Sequence, residues 1–427
     1  MLELGFIREN RAEIIERMSV RNLSAKDLVD NAIELDQKRR ETQKKFDDLQ
    51  AEMNQISKRI GQLFQEGKKE DAVVLKGKTA VLKGALQPLK EEMASAEVAL
   101  REVLYQIPNM PNVIVPPGKT DSDNEIILLE ADLPSLDSNA QPHWDLAKEY
   151  NLIDFELGVK ISGAGFPVYR GQGATLQRAL INFFLSEALK SGYEEILPPL
   201  LVNEASGLGT GQLPDKEGQM YYVQEDDLYL IPTAEVPITN ILRNTIVKKA
   251  DFPIKLTGYT PCFRREAGSY GKDVRGLNRL HQFDKVEIVQ AVDPAKSYQV
   301  LDEMVEHVKG LLRSLELPFR VAKLCGGDLG FTSALTYDME VYSAAQQKWL
   351  EVSSISNFES FQSNRLKLRY KDEDGKTHLA HTLNGSALAL PRIVAALLEN
   401  NQTPEGVRIP KALVPFTGFD MIKKRQQ

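Results

Sequence analysis

Cysteine is nearly absent from this 427-residue sequence: Cys262 and Cys325 are the only two, far apart in the chain. That argues against a disulfide framework and a cysteine metal site, and it suits a reducing cytosol. Five histidines, His143, His281, His307, His378 and His381, are scattered without ligand spacing, so no metal is assigned to them. No stretch approaches the roughly 20 apolar residues of a membrane span. The opening MLELGFIREN lacks the basic flank and apolar core of a secretory signal. Glycine-containing stretches match neither a Walker loop nor a dinucleotide fingerprint, so any nucleotide must be held another way. Aromatics are few, at 7%, but 42% of residues are apolar and 26% charged, the balance of a globular chain long enough for two domains or more. The net charge of −7 is mild and leaves room for a local basic patch.

The N-terminal quarter has a heptad seam. Leu28, Ala32 and Leu35, then Phe46, Leu49, Met53, Ile56, Ile60 and Leu63, fall at alternating steps of 3 and 4, broken by Arg39 and Thr42. After the polar QEGKKED the seam resumes with Leu75, Thr79, Leu82, Leu86, Leu89, Met93, Ala96, Leu100 and Val103. One apolar stripe per helix is stable only against a partner stripe, so residues 28–103 are expected to form an antiparallel helical hairpin. Its distal half is basic, carrying Lys58, Arg59, Lys68, Lys69, Lys76, Lys78, Lys83 and Lys90 against Glu66, Glu70 and Asp71. A solvated face is the plain reading of such charge. On an acidic protein, contact with nucleic acid stays open as the other.

YQIPNMPNVIVPPGKTDSDN, rich in Pro and Asn, reads as a linker, so the boundary lies near 110–120: domains 1–112 and 113–427. Beyond it, helices are expected over about 174–190, 295–315 and 387–400. EEILPPLLV, LYLIPTA, IKLTGYTPCFRREA, HQFDKVEIVQAV, PFRVAKLC, TYDMEVY and WLEVSSIS read as strands. Strands with few alternating helices suggest an antiparallel α+β domain.

One stretch, FRREAGSYGKDVRGLNRLHQFDKVE (263–287), gathers cations between two strand-like segments. A surface hairpin needs only a short turn, so the long Gly- and Arg-bearing loop raises the question of an anion. Arg264 and Glu266 should alternate on one strand face, and Phe283 and Glu287 on the returning one. A guanidinium for phosphate, a ring for a base and a carboxylate for an amine make a coherent set.

These residues resemble motif 2 of the class II aminoacyl-tRNA synthetases, in the form found in seryl-tRNA synthetases. The helix and strand ending at Pro198-Pro199 look like motif 1, and HTLNGSALALPRIVAALLENNQ (381–402) looks like motif 3, with Arg392 as its arginine. PTAEVPITN and EVSSISNFESFQSNR are similar to two seryl-specific segments, and the hairpin is similar to that family's tRNA-binding arm. One departure stands in motif 3, where Gly385 is followed by Ala387, Ala389 and Pro391 in place of several glycines.

The resemblance implies an α+β fold, an antiparallel-sheet class II catalytic domain preceded by the coiled-coil hairpin, and a cytoplasmic homodimer joined through motif 1. It implies that ATP and L-serine form seryl-adenylate, which acylates tRNA(Ser), with tRNA(Sec) a second candidate acceptor. Arg264 and Arg392 carry the catalytic roles. ATP binding falls to Arg264, Arg265, Glu266, Arg279, Leu280 (an apolar wall near the base), Phe283, Glu351, Val352, Ser353, Ser354 and Arg392. Glu351 and Ser354 would hold Mg²⁺ with ATP, and no zinc is expected. Serine falls to Thr233, Ala234 and Glu235 at its ammonium and main-chain end, and to Glu287 and Ser386 at its hydroxyl. Lys272, Asp273 and Arg275 are candidates for tRNA contact beside the basic residues of the arm. Two alternatives remain: a ligase charging a carrier protein from the same catalytic domain, which would have no use for the arm, and a non-enzymatic coiled-coil scaffold, which leaves Arg264, Glu266, Glu287, Glu351 and Arg392 unexplained.

Overall fold

The computed structural model describes residues 1–130, 132–136, 140–215, 217–266 and 275–424. It divides into two compact units, Met1–Ser19 with Leu23–Pro108 and Val20–Asn22 with Asn109–Gln427.

In the first unit, short helices α1 (Leu4–Glu9) and α2 (Arg11–Val20) precede α3 (Lys26–Gln65) and α4 (Lys69–Leu104). At 1.5 Å per residue α3 is about 60 Å long. Every seam residue is at least half-buried while most of the flanking residues are exposed. Arg39 and Thr42 do not interrupt the seam; they occupy it, with Thr42 buried. Arg39 reaches Asp36 at 2.9 Å, and Asp36, wholly buried, also pairs with Arg8 at 2.5 Å and Arg40 at 3.0 Å. A buried carboxylate is tolerated where cations surround it, and a polar residue at a seam position fixes register. Gly67, at φ +77°, makes the turn between the arms, a left-handed conformation that glycine adopts without steric cost. Pro88 lies inside α4, where it has no N–H for the carbonyl one turn back.

The second unit is built on one eight-stranded sheet: β1 (Glu125–Glu130), β2 (Glu194–Glu195), β3 (Ile254–Phe263), β4 (Gln282–Val292), β5 (Phe319–Lys323), β6 (Leu335–Ser343), β7 (Lys348–Glu359) and β8 (His381–Ala389). Their order is β1-β5-β6-β7-β8-β4-β3-β2, antiparallel throughout except for the short parallel edge β2–β3. α5 (His143–Glu149), α6 (Gly171–Lys190), α7 (Ser297–Ser314) and α8 (Leu390–Asn400) pack on the sheet or on one another. Leu180, Phe184, Val308, Ile393 and Leu397 from these helices share one core with Val286, Ile288 and Ile355 of the sheet. The opposite face of β4 carries Lys285, Glu287 and Val289, because side chains alternate along a strand. There Val289 meets Ala234 and Ile238 in a separate small cluster.

Two expectations shift. EEILPPLLV is not one strand but two short ones, Glu194–Glu195 and Leu201–Asn203, since Pro198 and Pro199 have no N–H for a ladder. The final helix begins at Leu390 rather than 387, because residues up to Ala389 belong to β8, held between β7 and β4.

Candidate active site

Strand register assembles the site. Glu287 of β4 pairs with Ser386 of β8, so both side chains face the same way. Ile355 of β7 pairs with Gly385, which sets Ser354 and Ser386 one position on, also on that face. Ser354 in turn pairs with Asp338 of β6. One row thus crosses four strands, with neighbours about 4.8 Å apart.

Glu351 joins the row through an irregularity. Three residues separate it from Ser354, and in a regular strand the two would face opposite sides. The register slips between Met339 and Glu340: Ser353 pairs with Met339 and Glu351 with Glu340, leaving Val352 as the extra residue. Val352 turns into the core, and Glu351 and Ser354 come to one face. Asp338 lies beside them, its Oδ1 buried without a hydrogen-bond partner. Burial first, then the nearby Glu351 charge, push the Asp338 carboxyl up, against a hydrogen bond from Ser354. This all-oxygen, doubly acidic cluster fits a hard divalent cation such as Mg²⁺.

At the other end of the row Lys285, Glu287 and Thr233 form a closed set. Lys285 Nζ donates to Thr233 Oγ1 at 2.8 Å and lies 2.7 Å from Glu287 Oε2, and Thr233 Oγ1 donates to the same carboxylate at 3.3 Å. All three are buried, and the Lys285 ammonium offsets the cost of burying Glu287. Thr233 Oγ1 also accepts from the Glu235 N–H at 3.2 Å, tying the start of the helix Glu235–Asn240 to the pocket. Glu235 is buried, accepts from Gln362 Nε2 at 2.6 Å and is hydrogen-bonded by Asn384. Burial and then the Glu287 charge push its pKa up to about 7.

The arginines surround the space above. Arg264 lies 5.2 Å over the Phe283 ring and donates from Nε to Pro232 O at 3.3 Å. Arg279 pairs with Glu266 at 3.0 Å. Arg392 donates from Nε to Asn278 O at 3.1 Å and from Nη1 to Glu351 O at 2.7 Å, so it joins the loop return to the acidic cluster.

Most of the expected residues therefore converge, but not all as read. β3 ends at Phe263: Arg264 N extends the ladder by one bond to His281 O, Arg265 N turns away to Gln219 O, and Glu266 has φ +47°. Arg264 and Glu266 thus share no strand face. Leu280, expected as a wall near the base, is buried in the main core, where an apolar side chain gains most. Val352, Ser353 and Ala234 are also buried. Lys272 and Asp273 lie outside the described residues; Arg275 sits 4.6 Å over the Trp144 ring. Sequence reading missed Lys285, Asp338, Gln362 and Asn384. Lys285 had a signal, an alternating position beside Glu287 on a strand otherwise becoming apolar.

In the arm, Lys58, Arg59, Lys68, Lys69, Lys76, Lys78 and Lys83 are all exposed. Arg59 and Lys68 pair with Glu66 at 3.3 and 2.9 Å, and Lys76 lies 5.1 Å over Phe64. Among the described residues, no cluster of three or more His, Cys, Asp or Glu side chains could hold a metal, and no helix is long and apolar enough to cross a membrane.

Comparison with known proteins agrees with this layout. Residues 1–111 match the seryl-tRNA synthetase N-terminal domain and residues 221–401 the class II tRNA synthetase core domain (G, H, P, S and T). A serine–tRNA ligase from Salinibacter ruber is 50% identical over 424 residues, 99% of each chain. One from Akkermansia muciniphila is 45% identical over 428 residues, covering 100% of both. The crystal structure of seryl-tRNA synthetase from Pyrococcus horikoshii complexed with ATP superposes with a TM-score of 0.91 at 33% identity over 100% of both chains.

Proposed function

The chain belongs to the seryl-tRNA synthetase family of class II aminoacyl-tRNA synthetases, and from that premise we propose how its residues divide the work of a serine–tRNA ligase. It activates serine with ATP and charges tRNA(Ser). The observation that carries the assignment is the single row from the acidic cluster at Glu351 to the Lys285–Glu287–Thr233 set, which offers a phosphate end and a hydroxyl-reading end on one sheet face.

Serine enters with its ammonium at Glu235 and Thr233, beside Ala234, and its hydroxyl at Glu287 and Ser386. A pocket built to hydrogen-bond a hydroxyl rejects alanine strongly, because its own buried groups would be left unpaired. Lys285, 2.7 Å from Glu287 Oε2, holds that carboxylate in place. The serine carboxylate, already a nucleophile at neutral pH, attacks the α-phosphorus, a new C–O–P link forms, and pyrophosphate leaves. Arg264 stabilises charge at that phosphate, Arg279 reaches the γ-phosphate and Arg392 closes from the opposite side, so that catalysis is mainly positioning and charge. Phe283 and Glu266 receive the adenine, and the Arg265 segment flanks it; Leu280, beside Arg279 in the chain, packs into the core beneath the site's sheet rather than lining the base. Glu351 and Ser354 would hold Mg²⁺, which supplies charge neutralisation at the phosphates. The strand that carries Val352 and Ser353 supports them.

The arm's exposed cations and Arg275 meet tRNA phosphates, with Lys272 and Asp273 further candidates and tRNA(Sec) a second acceptor to be tried. A cytoplasmic homodimer completes the reading. The dimer reading rests on the resemblance of α6 and the segment ending at Pro198-Pro199 to motif 1; beside α6, Tyr169, Arg178, Ile181, Leu185 and Tyr259 line a depression of about 490 Å³. The deciding experiment is ATP–pyrophosphate exchange with each amino acid in turn. Exchange with serine alone is expected; equal exchange with another amino acid, or none with serine, would overturn the assignment.

A further inference from the structure

A buried histidine and glutamate lie behind the phosphate arginines, and nothing in the serine or ATP roles uses them. His143, at the start of α5, and Glu399, in the last turn of α8, both have fully buried side chains, with Nδ1 2.7 Å from Oε1. Leu277 N–H donates to His143 Nε2 at 2.9 Å. Nε2 is therefore the unprotonated nitrogen, and Nδ1–H donates to Glu399. The carboxylate is saturated from other sides: the His143 N–H donates to it at 3.0 Å, Gln346 Nε2 at 3.0 Å, and the Ser343 hydroxyl also donates. Burial raises the Glu399 carboxyl, but hydrogen bonds from His143 and Ser343 outweigh that and hold it below its usual range.

The geometry has two clamps on adjacent residues. Leu277 is fixed by His143, and through it by Glu399. Asn278 is fixed by Arg392 Nε on its carbonyl and by Gln346 Oε1, which accepts from its Nδ2 at 3.0 Å. Arg392 and Glu399 are seven residues apart, about two helical turns, so α8 presents both on one side. Gly276 makes the close approach possible: its φ is +68°, and a Cβ there would lie 2.3 Å from His143 Nε2. Arg279 follows directly after these anchors.

We propose that His143 and Glu399 are positioning residues that lock the loop return 276–278 onto α8, so that Arg279 and Arg392 are held against the same nucleotide. The proposal rests on the reading of Arg279 and Arg392 as phosphate ligands. His143→Asn keeps a donor near the Nδ1 position and loses the acceptor for Leu277. His143→Gln keeps an acceptor near Nε2. A role in general stability would not tell these apart, whereas a clamp acting through Leu277 does.

The test is pyrophosphate exchange by the full chain, with KM measured separately for ATP and serine and folding checked by thermal melting. His143→Asn is expected to raise the ATP KM by about tenfold, the scale of a small misplacement at a reacting centre, with little change in the serine KM. His143→Gln should recover most of the loss. An unchanged ATP KM in folded His143→Asn, equal effects of the Asn and Gln variants, or ATP and serine KM rising together would each overturn the clamp. Should His143→Asn fail to fold, half-buried Gln346→Ala removes the Asn278 anchor and should raise the ATP KM in the same direction; no change there overturns it as well. Arg279→Ala and Arg392→Ala are run alongside. If neither raises the ATP KM, the phosphate reading itself fails, whereas a rise in both with none in the His143 and Gln346 variants removes the clamp alone.

Discussion

Charge is handled in opposite ways by the distal half of the helical arm and by the sheet domain, while Asp36, buried among Arg8, Arg39 and Arg40 near the arm's base, follows the sheet's manner. Over the distal half of α3 and α4 the cations stand in water, where Arg59 and Lys68 pair with exposed Glu66, seven and two residues away. Such exposed pairs contribute little to stability and hold no fixed geometry. In the sheet domain Lys285, Glu287, Glu235 and Glu399 are buried, and each side chain has partners from other strands or helices. The arm's charge thus works by amount, the sheet's by placement. A tRNA backbone suits the first and an amino acid the second.

Cutting the arm breaks that comparison most severely. Replacing residues 45–90 by a short turn leaves the sheet row untouched, so pyrophosphate exchange should persist while most tRNA charging is lost. The salt dependence of residual tRNA binding should also become shallower, since each phosphate contact adds to it. Undiminished tRNA charging by the shortened enzyme would make the arm a spacer.

Next in size is Arg264→Ala, expected to lower serine-dependent exchange by about 10²-fold, as for other lost transition-state donors. The melting temperature should hardly move, because Arg264 is only half-buried. Near-normal exchange would take Arg264 out of the site. A smaller and more selective effect is expected of Glu287→Ala, which leaves Lys285 buried without its carboxylate. Serine KM should rise by about tenfold or more, the cost of one unpaired buried partner, with ATP KM nearly constant. The reverse pattern, with ATP binding collapsing, would remove Glu287 from the serine pocket.

The mildest test is pH. Glu235, pushed up to about 7 by burial and by Glu287, is largely neutral below that pH, and an ammonium prefers the ionised form. Serine KM should therefore increase as pH falls through about 7, by up to about tenfold per unit. Glu235→Gln should flatten the profile. A slope surviving in that variant would place the titrating group elsewhere.

The arm was the most legible part of the sequence, because a 3–4 period over two stretches has one low-cost solution, two stripes facing each other. Even there Arg39 and Thr42 read as defects until their positions showed them on the seam. The site was legible as residue types and less so as geometry. Glu351 and Ser354 are three apart on a strand, and only the unpaired Val352 brings them together. Lys285, Gln362 and Asn384 gain their roles from partners at least 50 residues away or on other strands, as Lys285 does from Thr233. Arg264 and Glu266 misled in the other direction: alternation implied a strand that stops at Phe263.

The lone proline of α4 also has a mechanical side. Pro88 removes one rung of the helix ladder where Gly84 stands one turn back, and glycines recur at 61 and 77 with no atom near enough to require their smallness. Each lowers the resistance of a long rod to bending. The hairpin is thus not uniformly stiff: Pro88, Gly84, Gly77 and Gly61 all lie from its middle to its tip, away from the fixed charges at Asp36. A rod of that kind stores little strain when it bows, so its outer part can follow a large, curved and irregular surface.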